Sequence, residues 1–256
     1  MSHDPDRSDS PESPSRRGAL GAFGALSAAP LMGLTGQAHA AESIWAEQYD
    51  AFDYAAARGC ALIPRETAGP YPLSSVLDDD EMMRRDITEG RPGVPLTLTL
   101  KLVNVNKACA PISNAAVYIW CTDKDGVYSG YQQPGHDTRG QTFMRGIQIS
   151  DAKGAVHFDL VYPGWYPGRI THIHFQVFLN ADTGGTATAT SQLAFPQSVT
   201  KTVYASPLYA AKGQNTSVSD FAHDGVFSDG VSLQKAKMKG SVELGYSAKL
   251  MVGVAA

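Results

Sequence analysis

Between residues 96 and 102, leucine takes every second position: Leu96, Leu98, Leu100 and Leu102 alternate with Thr97, Thr99 and Lys101. Neighbouring side chains on an extended backbone point to opposite faces, so this segment gathers its leucines on one side only as a β-strand. Apolar stretches at residues 117–121, 143–149, 156–161, 170–179, 188–195, 199–204 and 249–254 are expected to be further strands. Between them lie the turn signals DKDG, DAKG and YPGWYPG, and the chain's 25 glycines and 15 prolines suit such punctuation. The pattern predicts an all-β fold, a two-sheet β-sandwich of short strands with long loops, residues 220–231 among them. Residues 43–58 place Trp45, Tyr49, Phe52 and Ala56 at spacings of three and four, which predicts a short N-terminal helix docked on that core.

The first 40 residues read differently. A polar, Pro/Ser-rich start ends at Arg16 and Arg17; an apolar run over residues 18–34 follows, then Ala38-His39-Ala40. This order is that of a twin-arginine-type export signal cut after Ala40, which leads to the periplasm or the exterior. The apolar run is too short and too rich in glycine and alanine for a stable membrane anchor. The expected organisation is therefore a signal over 1–40, a helical lead-in over 41–60 and the sandwich domain over 61–256. A net charge of −4 argues against nucleic-acid binding through a basic surface. Three cysteines are too few for a disulfide scaffold, so burial must stabilise the fold. In an exported chain Cys60–Cys109 is the more plausible pair, because Cys121 ends a strand; three reduced, buried thiols are the alternative.

The chemistry concentrates at residues 170–179. On a strand, Thr171, Ile173, Phe175, Val177 and Leu179 form an apolar face suited to the core, while Ile170, His172, His174, Gln176 and Phe178 face the other way. Two imidazoles two residues apart on one face can reach one metal ion, although two histidines satisfied within the protein have the same spacing. Just upstream, Tyr162-Pro163-Gly164-Trp165-Tyr166-Pro167-Gly168-Arg169 brings phenols, an indole and a guanidinium close. Further upstream, a strand ending at Trp120 and Cys121 runs through Asp125-Gly126-Val127 into Tyr128 and Tyr131. Neither a carboxylate partner for a facial triad nor a CxxC zinc pattern accompanies the histidines, so phenol oxygens are the available complement.

At these residues the sequence resembles the intradiol ring-cleavage dioxygenases, in particular their exported single-domain branch. Glu66-Thr67-Ala68-Gly69-Pro70-Tyr71, Cys109-Ala110-Pro111, residues 114–120, Asp125-Gly126-Val127-Tyr128-Ser129, Arg145-Gly146, Asp224-Gly225-Val226-Phe227 and Gly245-Tyr246 carry the likeness. The specific part is Pro163-Gly164-Trp165-Tyr166-x-x-Arg169-x-x-His172-x-His174. The resemblance implies one Fe(III) per chain, held by Tyr128, Tyr166, His172 and His174, with Arg169 as the active-site arginine. It implies O2-dependent cleavage of a catechol-type diol between its hydroxyl-bearing carbons, to a cis,cis-muconate. Cys121 stands where relatives of this branch usually have histidine. Tyr131 competes with Tyr128 as a ligand, and Tyr128 is preferred because it directly follows the Asp-Gly-Val turn.

Hard, anionic phenolates favour Fe(III) over Fe(II), and a ferric centre acts on the organic substrate as Lewis acid and template. On this reading Tyr128 stays bound, Tyr166 yields its place and takes up the second catechol proton, the histidines fix the geometry, and Arg169 stabilises negative charge on the ring. Tyr71 and Trp165 are candidates to line a slot for a flat ring, and Gln176 for a supporting hydrogen bond near the histidines. Lys124, Arg139 and Arg145 are the basic residues available to a carboxylated substrate. The partners are then a small aromatic diol and O2. Catechol-type relatives carry a larger helical dimerisation segment than residues 43–58 offer, which leaves a homo-oligomer open. Two other readings compete: a β-scaffold metalloenzyme holding zinc or copper on the histidine pair, and an exported β-sandwich module that binds carbohydrate or another ligand.

Overall fold

The computed structural model describes residues 60–256. The export signal and the helix expected over residues 43–58 lie outside the described residues. The leucine alternation forms β1 (Pro95–Asn104), whose even-numbered leucines are fully buried while the threonines between them are not. Each such leucine contributes about 1.5–3 kcal/mol by leaving water. β1 is the centre of the first sheet. It pairs in parallel with β11 (Gly245–Val254), so that Leu100 lies opposite Leu250 and Leu102 opposite Val252. On its other edge it pairs antiparallel with β7 (Ala155–Val161) and then with β2 (Ala110–Pro111). β10 (Lys237–Ser241) closes the far side against β11.

The second sheet runs β6 (Arg145–Ile149), β3 (Ala116–Trp120), β8 (His172–Phe178), β9 (Ala189–Ala194), antiparallel throughout. A two-residue hairpin, β4 (Gln132–Gln133) with β5 (His136–Asp137), stands apart from both. Val117, Ile119, Ile173, Phe175 and Val177 point from the second sheet into the core shared with the β1 leucines. The opposite face is also covered. Tyr118, Trp120, Tyr128 and Phe178 are buried there under Ala68, Tyr71, Leu73, Leu77 and Tyr166. A sheet buried on both sides is what allows polar side chains on its second face to sit in a dry environment.

One expected strand is corrected. Residues 199–204 form most of a helix, α1 (Gln197–Tyr204). Their β-branched composition points to a strand, but Val199/Val203 and Thr200/Tyr204 are also helical i, i+4 pairs. Packing decides: Val203 and Tyr204 are buried, and the Thr200 hydroxyl bonds the Tyr162 phenol at 2.7 Å. Residues 220–231 form a loop with two 3-10 turns, Phe221–His223 and Phe227–Asp229.

Cys60 and Cys109 form a disulfide, with Cα atoms 5.6 Å apart, and Cys121 is free and buried. The bond closes a loop with a sequence separation of 49, which ties the first described residue to the residue just before β2. Replacing both cysteines with serine is expected to lower stability by about 2–4 kcal/mol, read as a shift in the urea midpoint. An unchanged midpoint would show that the bond constrains little.

Candidate active site

The buried outer face of the second sheet carries a row of four side chains, one from each strand. Arg145 lies opposite Trp120, Trp120 opposite His174, and His174 opposite Gln192. His172 is two residues before His174, and so on the same face. Two turns bring the phenols over this row. Tyr128 follows the Asp125-Gly126-Val127 turn, and Tyr166 lies in the turn that leads into β8. These turns pack directly on one another. A Cβ on Gly164 would overlap the Lys124 carbonyl, and one on Gly126 would overlap that of Trp165. Glycine at both positions lets the two backbones approach closely enough to bring both tyrosines to one point.

The four side chains named by the resemblance meet there. Nε2 of His172 is 3.3 Å from the Tyr128 hydroxyl, 3.3 Å from the Tyr166 hydroxyl and 3.1 Å from Nε2 of His174. Nδ1–H of His172 donates to the Ile170 carbonyl at 2.6 Å, which leaves Nε2 with its lone pair toward the other three groups. His174 is placed by contact. The Trp120 ring stacks on it, 4.9 Å away and tilted by only 1°, and a Cβ on Gly69 would stand 3.3 Å from its Cε1. Tyr131 lies elsewhere: its hydroxyl accepts from the Leu73 amide at 2.8 Å, and its ring packs on Tyr71.

Burial sets the protonation of this group. It lowers His172 to about 3, with the charge of Arg169 adding to the effect, and it takes His174 well below the ordinary imidazole range. Both rings are neutral and able to donate a lone pair. Burial raises Tyr128 well above the ordinary phenol range, with the neighbouring Tyr166 adding to the shift. Tyr166 is raised too, with burial first, but it is the more exposed of the pair, and Arg169 opposes the shift.

Arg169, half-buried, pairs with the fully buried Asp224. Its Nε donates to Asp224 at 3.0 and 3.2 Å, and its Nη2 to Oε1 of Gln192 at 2.6 Å. Gln192 is not singled out by the sequence, and Asp224 only as part of the Asp224-Gly225-Val226-Phe227 stretch, with no link to Arg169. Gln192 needed the pairing of β8 with β9, and Asp224 comes from a loop about fifty residues further along the chain. Of the other candidates, Tyr71 packs on Tyr128 with ring centroids 4.9 Å apart. Trp165 donates from its indole to the Gly213 carbonyl at 2.9 Å and carries Lys212 over its ring. Gln176 bonds Thr190 at 3.3 Å rather than either histidine. The basic candidates are committed elsewhere: Lys124 pairs with Asp125, Arg139 with Asp137, and buried Arg145 donates to Tyr71, Tyr118 and Ser129.

Among the described residues, no group of three or more His, Cys, Asp and Glu side chains is arranged to hold a metal ion.

A family model described as Dioxygenase matches residues 68–225. No curated protein matches the sequence. Among solved structures, the chain is similar to the intradiol ring-cleavage dioxygenase from Tetranychus urticae, at 28% identity and TM-score 0.66, over 76% of this chain and 95% of that one. It also shares a fold with the dioxygenase domain of a dioxygenase carbohydrate-binding protein fusion from Streptomyces sp. SirexAA-E, at 22% identity and TM-score 0.50, over 76% of this chain and 98% of that one. The fold extends to 3-chlorocatechol 1,2-dioxygenase from Rhodococcus opacus 1CP, at 14% identity and TM-score 0.50, over 80% of this chain and 76% of that one. With more than half of its length matched by the family model and with these neighbours, the chain belongs to the intradiol ring-cleavage dioxygenases and is an enzyme of that class.

Proposed function

We propose that this chain holds one Fe(III) on Tyr128, Tyr166, His172 and His174 and uses O2 to open a catechol-type ring between its two hydroxyl-bearing carbons, giving a cis,cis-muconate. The observation that carries the reading is the convergence of two phenol oxygens and two imidazole nitrogens, with contacts of 3.1–3.3 Å around Nε2 of His172. One lone pair cannot satisfy three such neighbours. Donors about 2.1 Å from a common ion and 90–110° apart would lie about 3.0–3.4 Å from one another, which matches this spacing. Two phenols also suit a hard, highly charged cation, whose field opposes the loss of acidity that burial imposes on them.

Ferric iron bound there supplies Lewis acidity and the redox coupling that makes the diol reactive toward O2. Tyr128, 2% exposed, is the permanent oxygen donor. Tyr166 is less buried and lies beside Arg169, so of the two phenols it would be the one open to the substrate, and its Oη would take the proton of the second catechol hydroxyl. The Arg169 guanidinium stabilises negative charge that develops on the ring. Ala68, Tyr71, Leu73 and Leu77 pack about the phenols and exclude water.

The commitments of Lys124, Arg139 and Arg145 favour an uncharged diol. A ring carboxylate forfeits a charged hydrogen bond of about 1.5–3 kcal/mol, so kcat/KM for catechol is expected to exceed that for 3,4-dihydroxybenzoate roughly 10–100-fold. Oxygen uptake and muconate absorbance with both substrates check this. Equal or higher efficiency with the carboxylated diol contradicts the preference, and uptake with neither contradicts the function.

A further inference from the structure

Arg169 and His172 both have work in the proposed reaction, and both connect to one carboxylate that is not among the four proposed ligands. Asp224 is fully buried in the loop that follows α1. Besides the two contacts from Nε of Arg169, its oxygens accept from the backbone amides of Ile170 at 2.6 Å, Val226 at 2.8 Å and Phe227 at 3.0 Å. The Ile170 contact matters most. Its N–H is held by Asp224, and its carbonyl holds Nδ1–H of His172 at 2.6 Å. Residue 170 therefore relays the position of the carboxylate to the imidazole. Phe227 closes the same clasp. The Arg169 guanidinium lies 5.5 Å from the centre of its ring, and that ring stands edge-on to His172 at 6.4 Å.

We propose that Asp224 is a positioning residue that sets Arg169 and His172 as one unit, so that the charge-stabilising arm and a metal ligand are registered to each other by a single carboxylate. The proposal rests on the reading that His172 binds the ferric ion and that Arg169 meets the substrate. The competing role is purely structural, a cap that folds the loop. Asp220 provides the contrast, because it caps the Phe221–His223 turn of the same loop by accepting from the His223 amide, and it is not among the partners of Arg169 or Ile170.

The test compares Asp224→Asn and Asp220→Ala in the full chain. Ferric-ion affinity is read by competition with a chelator, and kcat and KM are read with catechol. Asp224→Asn is expected to weaken ferric binding about 10–100-fold, the usual cost of losing a partner that orients a ligand. It is also expected to lower kcat more than it changes KM, because the guanidinium acts on charge that forms during reaction. Asp220→Ala is expected to leave ferric affinity and kcat within about twofold of wild type. Wild-type affinity in Asp224→Asn overturns the proposal, as does an equal loss in Asp220→Ala. Should Asp224→Asn fail to fold, the charge-balanced pair Arg169→Met with Asp224→Asn replaces it and must bind ferric iron at least about tenfold more weakly than wild type; wild-type affinity in that pair overturns the proposal. A wild-type protein that neither binds iron nor cleaves catechol refutes the functional reading itself, a result separate from these.

Discussion

His172→Ala is expected to lose bound iron and ring cleavage together. Nε2 of His172 is the common point of the site, in contact with both phenols and with His174, and its tautomer is fixed by the Ile170 carbonyl. Alanine removes the donor at that point and leaves the phenols of Tyr128 and Tyr166 buried with one imidazole. The loss of iron affinity should exceed the roughly 10–100-fold that removal of a supporting partner costs. Tyr166→Phe is the instructive contrast. It removes the more exposed oxygen and leaves three donors, so it should retain much of its iron while losing most of its turnover, because the acceptor for the second catechol proton is gone. Metal content by emission spectrometry and oxygen uptake with catechol separate the two variants. Full iron and full turnover in His172→Ala would show the ligand assignment to be wrong.

Arg145→Leu is expected to destabilise the fold by about 3–5 kcal/mol. Arg145 is fully buried, and its guanidinium is spread over neutral acceptors. It donates to the hydroxyl and the carbonyl of Ser129, to the Tyr71 carbonyl and to the Tyr118 hydroxyl, all at 2.8–2.9 Å. Leucine leaves the Tyr71 and Ser129 carbonyls without this donor, at about 1–3 kcal/mol each. The residue also joins the segment that covers the site, through Tyr71, to the residue that follows Tyr128. Thermal denaturation should show a drop of roughly 6–20 °C for a domain of this size. Lysine should not rescue it, since a single ammonium cannot reach four acceptors with the geometry of a fork. A change within about 1 kcal/mol would mean that the carbonyls find other donors.

What the sequence disclosed depended on whether the cause was local. The period of two over Leu96–Leu102 is set by solvent on one side and core on the other, and β1 follows it residue by residue. Residues 199–204 carry two compatible periods, and only contact with Tyr162 and the core chooses the helix. β10 has no apolar alternation, since it is an edge strand with Lys237 and Lys239 that pairs through its backbone, so composition gives no sign of it. The site divides in the same way. Tyr166, Arg169, His172 and His174 fall within nine residues and are legible as one stretch. Gln192 is invisible until strand register brings it to Arg169, and Asp224, although it heads one of the stretches that carry the family likeness, shows its role only when a distant loop brings it there. The free guanidinium suggested by Arg145 in the sequence is a fully engaged buried one in the fold.

The central claim, that two phenolates and two imidazoles share one ferric ion, is tested most directly by the visible spectrum of the protein loaded with Fe(III). Charge transfer from tyrosinate to iron should colour the wild-type protein wine-red, with one ion per chain. Tyr128→Phe should weaken and shift that band. A wild-type protein that binds one ferric ion per chain and stays colourless, or that prefers zinc and remains colourless, would contradict the account.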